Sequence, residues 1–251
     1  MRKPILTIIT DLIISTVFAA MAFSQGMSAV DILRKTDSVM TAHKDMKALT
    51  KTILIDKDKS EKVREAESYE KGKDKRLIRF ISPADQKGIG FLSLPDDVQY
   101  VYLPAFHKVR RIASSAKNTN FAGTDFSYDD LTTFEYSKDY NPKLLETDND
   151  TYILELTPKP GVKKEYSKMK MWIKKDNFYP FKFESYDKNG KLWKIMERRR
   201  IEKIGNYWVS KEMEMKDVKI NHSTKMIIEK PEFDTGLSDD LFTERNLSRV
   251  K

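Results

Sequence analysis

The sequence of 251 residues contains no cysteine, so the protein forms no disulfide bonds and offers no thiol for lipid attachment. Histidine is scarce as well: His43, His107 and His222 lie far apart, without the paired spacing of a zinc site. Neither a Gly-x-Ser-x-Gly element nor a phosphate-binding loop is present. These absences speak against the common catalytic and metal-dependent functions, and they require that stability come from a buried core.

No linker rich in Gly, Ser or Pro interrupts residues 25–251, and no second apolar run of membrane-spanning length follows residue 24. We therefore expect a single domain over residues 25–251. The net charge of +8 is modest, because Asp and Glu are interleaved with the many Lys and Arg residues. Such an excess favours contact with anionic membrane surfaces or acidic partners, and it does not indicate nucleic acid as a partner.

Residues 1–24 have the pattern of a secretory signal peptide. Arg2 and Lys3 form the charged beginning, a mostly apolar run follows, and small side chains precede a cleavage site after Ser24. Asp11 lies inside the apolar run, where a charge opposes membrane insertion by ~2.5–3.5 kcal/mol. We expect cleavage and export, with an uncleaved N-terminal anchor as the alternative.

An amphipathic helix is predicted over residues 28–46. Ser28 suits the N-cap, and Asp31 lies at the positive end of the helix dipole. Leu33 and Met40 belong to an apolar stripe at helical spacing, and this wide face needs a sheet to cover it. Two interpretations stay open: a lid at the mouth of a barrel, or an ordinary helix packed on a sheet.

The rest of the chain shows the alternation of short antiparallel strands. Turn residues separate the strands, and Asn189-Gly190 is the strongest hairpin element. The predicted strands span residues 50–56, 63–71, 76–81, 88–94, 98–103, 107–112, 150–158, 164–175, 179–187, 191–203, 207–220 and 223–229. The second of them is polar, which is typical of a sheet edge. The pattern indicates an α+β fold that is mainly antiparallel β, either a barrel or a sandwich.

Residues 114–131 form a long segment without helical or strand periodicity. Segments of this length inside a compact domain are usually functional or disordered. Its apolar residues and a glycine that permits a sharp turn are Phe121, Gly123, Phe126, Tyr128 and Leu131. So much apolar surface does not suit a solvated linker. We predict a mobile cover whose aromatic half folds over an apolar surface.

Two elements in this region carry a resemblance to a known family. The first is Pro-x-x-x-Lys-x-x-Arg-Ile, formed by Pro104, Lys108, Arg111 and Ile112. The second is Gly-Thr-Asp-Phe-Ser-Tyr-Asp-Asp over residues 123–130, and a matching tail spans residues 236–245. On these elements the sequence resembles the LolA-like superfamily of periplasmic outer-membrane lipoprotein-sorting proteins, over nearly the whole mature chain.

The resemblance implies a half-open antiparallel β-barrel with an apolar concave face, an N-terminal helix and a loop or helix lid. It also implies a periplasmic location and a carrier that shields the acyl chains of lipids or lipoproteins. An inner-membrane transporter or exporter is the implied protein partner, and no cofactor is implied. Without cysteine the protein is not itself lipidated. The alternatives are a lipid-sensing regulatory module of a membrane complex and a lipid-processing enzyme.

Alternation places methionine and phenylalanine on one surface of several successive strands. Val, Ile and Leu are the usual choice for a tight core, whereas Met adapts to guests of varied shape. The residues assigned to this surface are Met169, Met171, Ile173, Phe181, Phe183, Met213, Met215 and Met226. Together with the resemblance, this composition predicts a ligand cavity; the alternative is a closed core covered by the helix.

Charged residues beside the loop have two interpretations. Lys108, Arg110 and Arg111 could contact lipid headgroups at the barrel rim, because Arg matches phosphate geometry. They could equally form a solvated strand edge that discourages aggregation.

Three carboxylates in the loop are candidates for acid–base or metal chemistry: Asp125, Asp129 and Asp130. Loop carboxylates more often cap turns and helices. We therefore assign no catalytic residue and no metal ligand.

Overall fold

A 13-stranded antiparallel sheet organises the computed structural model, which describes residues 26–132 and 135–249. The signal peptide predicted for residues 1–24 lies outside the described residues. Within the two described ranges, no helix is both long and apolar enough to span a membrane.

The strands follow the predicted alternation closely, and one strand over residues 140–147 was not predicted. Their bounds are β1 Asp45–Ile55, β2 Glu61–Lys71, β3 Lys75–Ser82, β4 Gly90–Leu94, β5 Val98–Leu103, β6 Lys108–Arg111, β7 Tyr140–Thr147, β8 Thr151–Pro158, β9 Lys168–Lys174, β10 Pro180–Tyr186, β11 Leu192–Ile204, β12 Tyr207–Asp217 and β13 His222–Phe233.

The sheet consists of two meanders that meet in its middle. The strand order is β6-β5-β4-β3-β2-β1-β13-β12-β11-β10-β9-β8-β7, so β1 pairs with β13 and the edges are β6 and β7. The sheet is curved and open, which is the expected half-open barrel. The prediction that residues 63–71 form a sheet edge is wrong, because β2 pairs with β1 on one side and β3 on the other. β2 is polar although it lies inside the sheet, because most of its side chains are exposed or half-buried.

Helix α1 spans Ala29–Met40 and is shorter than the predicted helix over residues 28–46. The Ser28 side chain caps it by accepting a hydrogen bond from the Asp31 amide at 3.1 Å. Residues from Asp45 onward belong to β1 instead of the helix. Apolar spacing alone therefore overestimated the helix at its C-terminal end.

Asp45 is the first residue of β1, and its side-chain carboxylate binds the segment that follows β13. It is 4% exposed and accepts hydrogen bonds from the amides of Thr235, Gly236 and Leu237 at 2.7, 2.9 and 3.1 Å. Burial raises the pKa of this carboxyl, but these hydrogen bonds outweigh burial and leave the pKa below its ordinary value. A helical conformation at this position would break these contacts.

Helix α1 packs into the main core on the concave side of the sheet. Ile32 and Leu33 are fully buried there. Asp37 accepts hydrogen bonds from the amides of Tyr136 and Ser137 at 2.9 and 2.8 Å and so fixes the one-turn helix α2 (Tyr136–Asp139). Burial raises the pKa of Asp37. The helix is part of the core in this arrangement.

A second, smaller core covers the opposite, convex face. It consists of Leu77, Leu92, Tyr102, Phe242 and Leu247, the last of these on helix α3 (Glu244–Leu247). Gly90 permits this contact, because a Cβ at that position would lie 2.7 Å from the Leu247 Cδ1 atom. The tail after β13 therefore belongs to the folded unit.

Candidate functional site

A cavity of about 120 Å³ lies on the concave face of the sheet. Its wall is mainly apolar and combines residues of both meanders with the segment 114–131, which we call the cover loop. The apolar and aromatic lining residues are Met46, Ala48, Ala66, Tyr69, Ile78, Phe80, Phe121, Phe126, Leu131, Tyr136, Tyr140, Tyr166, Met169, Phe183, Met196, Met213, Met215, Met226 and Ile228. A cavity of roughly 150 Å³ accepts a molecule of benzene. A long acyl chain would therefore need some of these side chains to move.

Five of the eight residues assigned to the ligand surface line this cavity: Met169, Phe183, Met213, Met215 and Met226. Met171 and Ile173 are fully buried in the main core but do not reach the lining. Phe181 is half-buried and lies outside both the core and the lining. The register of β10 against β9 shifts between Pro180 and Lys182, so strict alternation fails at Phe181.

Sequence alternation missed three prominent lining residues. Met46 had been assigned to the helix, whereas it lies on β1. Met196 on β11 lies between two basic residues on the same face, which hid the apolar character of that face. Phe80 on β3 lies in the strand predicted over residues 76–81 and is not among the residues assigned to the ligand surface. Its ring stacks on Phe121 of the cover loop at 5.5 Å between centroids.

The aromatic side chains of the cover loop are packed into the concave face. Phe121 and Phe126 are 1% and 2% exposed. Tyr128 is partly buried and its ring lies 5.5 Å from that of Phe91. Gly123 has a φ of +76°, a left-handed conformation that permits the turn between the two phenylalanines. The contacts of Phe121, Phe126 and Leu131 with the cavity agree with a cover, and mobility remains a prediction.

A buried lysine holds the cover loop from β11. Lys194 is 1% exposed, and its ammonium donates to the Asp125 carbonyl at 2.6 Å and to the Asn120 side-chain oxygen at 3.3 Å. The same ammonium lies 3.5 Å from a carboxylate oxygen of Asp130. The loop thus gains three polar contacts with one side chain of the sheet.

Other strands and segments hold the same loop. Arg64 on β2 donates to the Ala122 carbonyl. The Tyr166 hydroxyl donates to Asp130 at 3.0 Å, and burial together with this carboxylate raises the pKa of Tyr166. Lys164 forms an ion pair with Asp129 at 3.1 Å. The cover loop is therefore attached to both meanders.

The third loop carboxylate is also engaged in structure. Asp125 is 1% exposed and accepts a hydrogen bond from the Thr224 hydroxyl at 2.7 Å. Its carboxylate lies 2.6 Å from Nδ1 of His222, and its backbone amide donates to Thr224 at 2.9 Å. Across residues 26–132 and 135–249, no group of three or more His, Asp or Glu side chains is arranged to hold a metal ion.

The cavity wall is charged at the cover loop, through Asp129 and Asp130, and in a second part that contains two arginines. Arg76 on β3 and Arg198 on β11 both line the cavity and are only 3% and 7% exposed. Glu70 on β2 lies 3.6 Å from the Arg76 guanidinium and 3.3 Å from the His43 ring. Burial raises the pKa of Glu70, but Arg76, His43 and Arg198 outweigh burial and hold the pKa below its ordinary value.

The basic residues predicted at the rim lie on the edge strand β6. Lys108, Arg110 and Arg111 are exposed and do not line the cavity. Arg110 lies over the ring of Phe106, which is itself exposed, at 5.5 Å. The position leaves both interpretations open, and headgroup contact remains a prediction.

Comparison with known proteins finds a matching family model and several similar solved structures. A family model described as an uncharacterized protein matches residues 72–249. An outer-membrane lipoprotein-sorting protein domain from Vibrio parahaemolyticus is 30% identical, with a TM-score of 0.78, over 88% of this chain and 98% of that chain. A DUF1329 family protein from Desulfovibrio piger is 29% identical, with a TM-score of 0.81, over 87% and 97%.

A LolA superfamily protein from Nitrosomonas europaea has the same fold at 22% identity, with a TM-score of 0.72, over 87% of this chain and 99% of that chain. A search of curated protein sequences finds no match.

Proposed function

This chain belongs to the LolA-like superfamily of outer-membrane lipoprotein-sorting proteins, and from that premise we propose that it is a periplasmic carrier of lipid or lipoprotein acyl chains. The single observation that carries the proposal is an apolar, Met-rich cavity whose wall includes the side chains of a cover loop. The carrier would accept its cargo from an inner-membrane transporter or exporter and deliver it toward the outer membrane.

Such a carrier takes up and releases its guest without an energy source, because binding depends only on burial of apolar surface. Burying a methylene group stabilises a guest by ~0.8 kcal/mol, so about ten methylenes contribute several kcal/mol even when enclosure is incomplete. Burial of Phe121 and Phe126 contributes on the order of 1.5–3 kcal/mol each. Guest and loop therefore compete for the same apolar surface with similar free energies, which makes uptake and release reversible.

The enzymatic alternative has no support from the loop carboxylates. The LolA-like carrier fold is typically non-enzymatic. Asp125 and Asp130 bind hydroxyl and amide groups of the protein, and Asp129 pairs with Lys164. We propose that these side chains hold the cover loop in place and take no part in chemistry.

Native mass spectrometry tests the carrier proposal directly. The full chain, expressed with export and purified from the periplasm without detergent, is expected to show mass adducts that correspond to lipids or acylated peptides. The adducts should disappear after organic extraction and return when vesicles of bacterial phospholipid are added. A protein that remains free of adducts under both conditions would contradict the proposal.

Hydrogen exchange should detect displacement of the cover loop. A guest longer than the cavity must move Phe121 and Phe126, so the amides of residues 118–131 are expected to exchange faster with lipid bound than without it. Arg64→Ala removes the donor to the Ala122 carbonyl and should speed exchange of the loop without lipid. Arg110→Ala on the exposed edge strand is the matched control. Exchange that is independent of lipid and of Arg64 would mean that the loop is permanent structure.

A further inference from the structure

The basic part of the cavity wall lies away from the part that the cover loop fills. On β3, Phe80 contacts the loop and Arg76 lies four residues before it. On β11, Lys194 holds the loop and Arg198 lies four residues after it. Four residues of a strand span about 13 Å. On both strands, therefore, an arginine lies at one end of the apolar cavity, and the residue that contacts the cover loop lies toward the other end.

Arg198 has no anionic partner among the described residues. Its guanidinium lies 3.0 Å from the sulfur of Met40 and faces the rings of Phe183 and Tyr179 at 5.0 and 5.8 Å. The nearby carboxylate, Glu70, is in ion-pair contact with Arg76 and His43 and is too distant for an ion pair with Arg198. A guanidinium carries five N–H donors, and those of Arg198 have only a weak sulfur acceptor.

The charge at this end of the cavity is not balanced by the protein. Arg76 and Arg198 supply two positive charges here, and Glu70 is the lining carboxylate in contact with Arg76. The other two lining carboxylates, Asp129 and Asp130, belong to the cover loop and face Lys164 and Lys194. A charge that is nine-tenths buried without a partner is costly, and a bound anion removes that cost. Arg binds carboxylate and phosphate oxygens through paired N–H groups.

We propose that the guest is an anionic single-chain amphiphile, with an acidic head at Arg198 and its chain along Met196 toward the cover loop. This inference rests on the proposed carrier function and specifies the chemistry of its cargo. The head is a carboxylate or a phosphate monoester, since both present the oxygens that a guanidinium binds. Neutral or cationic amphiphiles of the same chain length leave the charge at Arg198 uncompensated.

Competition among amphiphiles of one chain length tests this specificity. A fluorescent fatty acid bound to the full chain at pH 8 is displaced, below the critical micelle concentration, by dodecanoate, dodecyl phosphate, dodecanol or dodecyltrimethylammonium. Dodecanoate or dodecyl phosphate is expected to bind about 10- to 100-fold more tightly than dodecanol, as a charged hydrogen bond predicts. The better of the two anions identifies the head.

Two variants assign the preference to Arg198. Arg198→Met should remove the preference for anions and leave the affinity for dodecanol within about twofold. Arg79→Met is the matched control: Arg79 is 7% exposed on the opposite face of β3, where it donates to the Asn246 carbonyl. If Arg198→Met fails to fold, Arg198→Lys, which keeps the charge without the paired donors, should reduce the preference.

The outcomes separate this inference from the carrier function. Equal binding of all four amphiphiles to the wild type would overturn the inference and leave the carrier intact. A preference for anions that survives in Arg198→Met, or that is undiminished in a folded Arg198→Lys, would also overturn it. Absence of binding by the fluorescent fatty acid, together with absence of lipid adducts in native mass spectrometry, would overturn the carrier function itself.

Discussion

Lys194→Met is expected to lower the free energy of unfolding by about 3–5 kcal/mol, the cost of removing one partner from a buried ionic contact. The ammonium of Lys194 is buried and binds Asn120, the Asp125 carbonyl and Asp130. Methionine fills similar space, but it leaves the loop oxygens without a donor. Urea denaturation monitored by circular dichroism measures the loss.

The same variant should release the cover loop before the sheet unfolds. Amides of residues 118–131 would then exchange faster in native buffer, while those of β12 and β13 stay protected. Lys191→Met is the control on the same stretch of chain, because Lys191 is exposed and surface substitutions usually change stability by less than about 0.5 kcal/mol. Equal stability of the Lys194 and Lys191 variants would show that the loop is held by its aromatic contacts alone.

Met213→Glu is expected to abolish uptake of a fluorescent fatty acid while the protein stays folded. Met213 lines the cavity and is the direct cross-strand neighbour of Arg198. A glutamate there can pair with the guanidinium, so the fold tolerates the charge. The ion pair between this glutamate and Arg198 would replace an apolar part of the cavity wall and neutralise the positive charge of the guanidinium.

Met171→Glu is the contrasting variant, because Met171 is 0% exposed and lies in the core outside the cavity lining. A carboxylate buried there without a partner should lower the melting temperature strongly or prevent folding. If Met213→Glu also unfolds, or if it retains full uptake, the Met-rich face is a closed core and not a binding surface.

Strand positions were largely predictable because alternation records which side chains face the core. β2 to β6, β8, β10 and β11 were located within one or two residues at each end, whereas β1 begins at Asp45, well before the predicted start at residue 50. β7 was missed because it is a largely exposed edge strand that contains Pro142 and adjacent leucines, a pattern without period two. The helix end was misplaced because Met46 suits a helical stripe and the role of Asp45 depends on residues far along the chain.

The apolar wall of the site was partly predictable, and its charged end was not. Arg198 and Arg199 are adjacent in a basic run, yet one faces the cavity while the other pairs with Glu212 and Glu214 on the opposite face. Alternation predicts that the two arginines lie on opposite faces of the strand, but it does not predict which of them has a carboxylate for an ion pair. The decisive fact about Arg198 is that no carboxylate among the described residues lies within ion-pair distance of it, which depends on how β11 is placed against distant strands.

The pairing of β1 with β13 constrains the order in which the parts of the sheet can fold. Every other pairing in the sheet joins strands that are consecutive in the chain, whereas this one places Met46 opposite Phe233. Contacts between such distant positions form slowly, because a long stretch of chain must first be brought together. Each meander consists of local pairings, but the cavity needs Phe80 from one meander and Met196 from the other. The binding surface is therefore expected to form last, and until then β1 and β13 remain open edges that can pair with other chains.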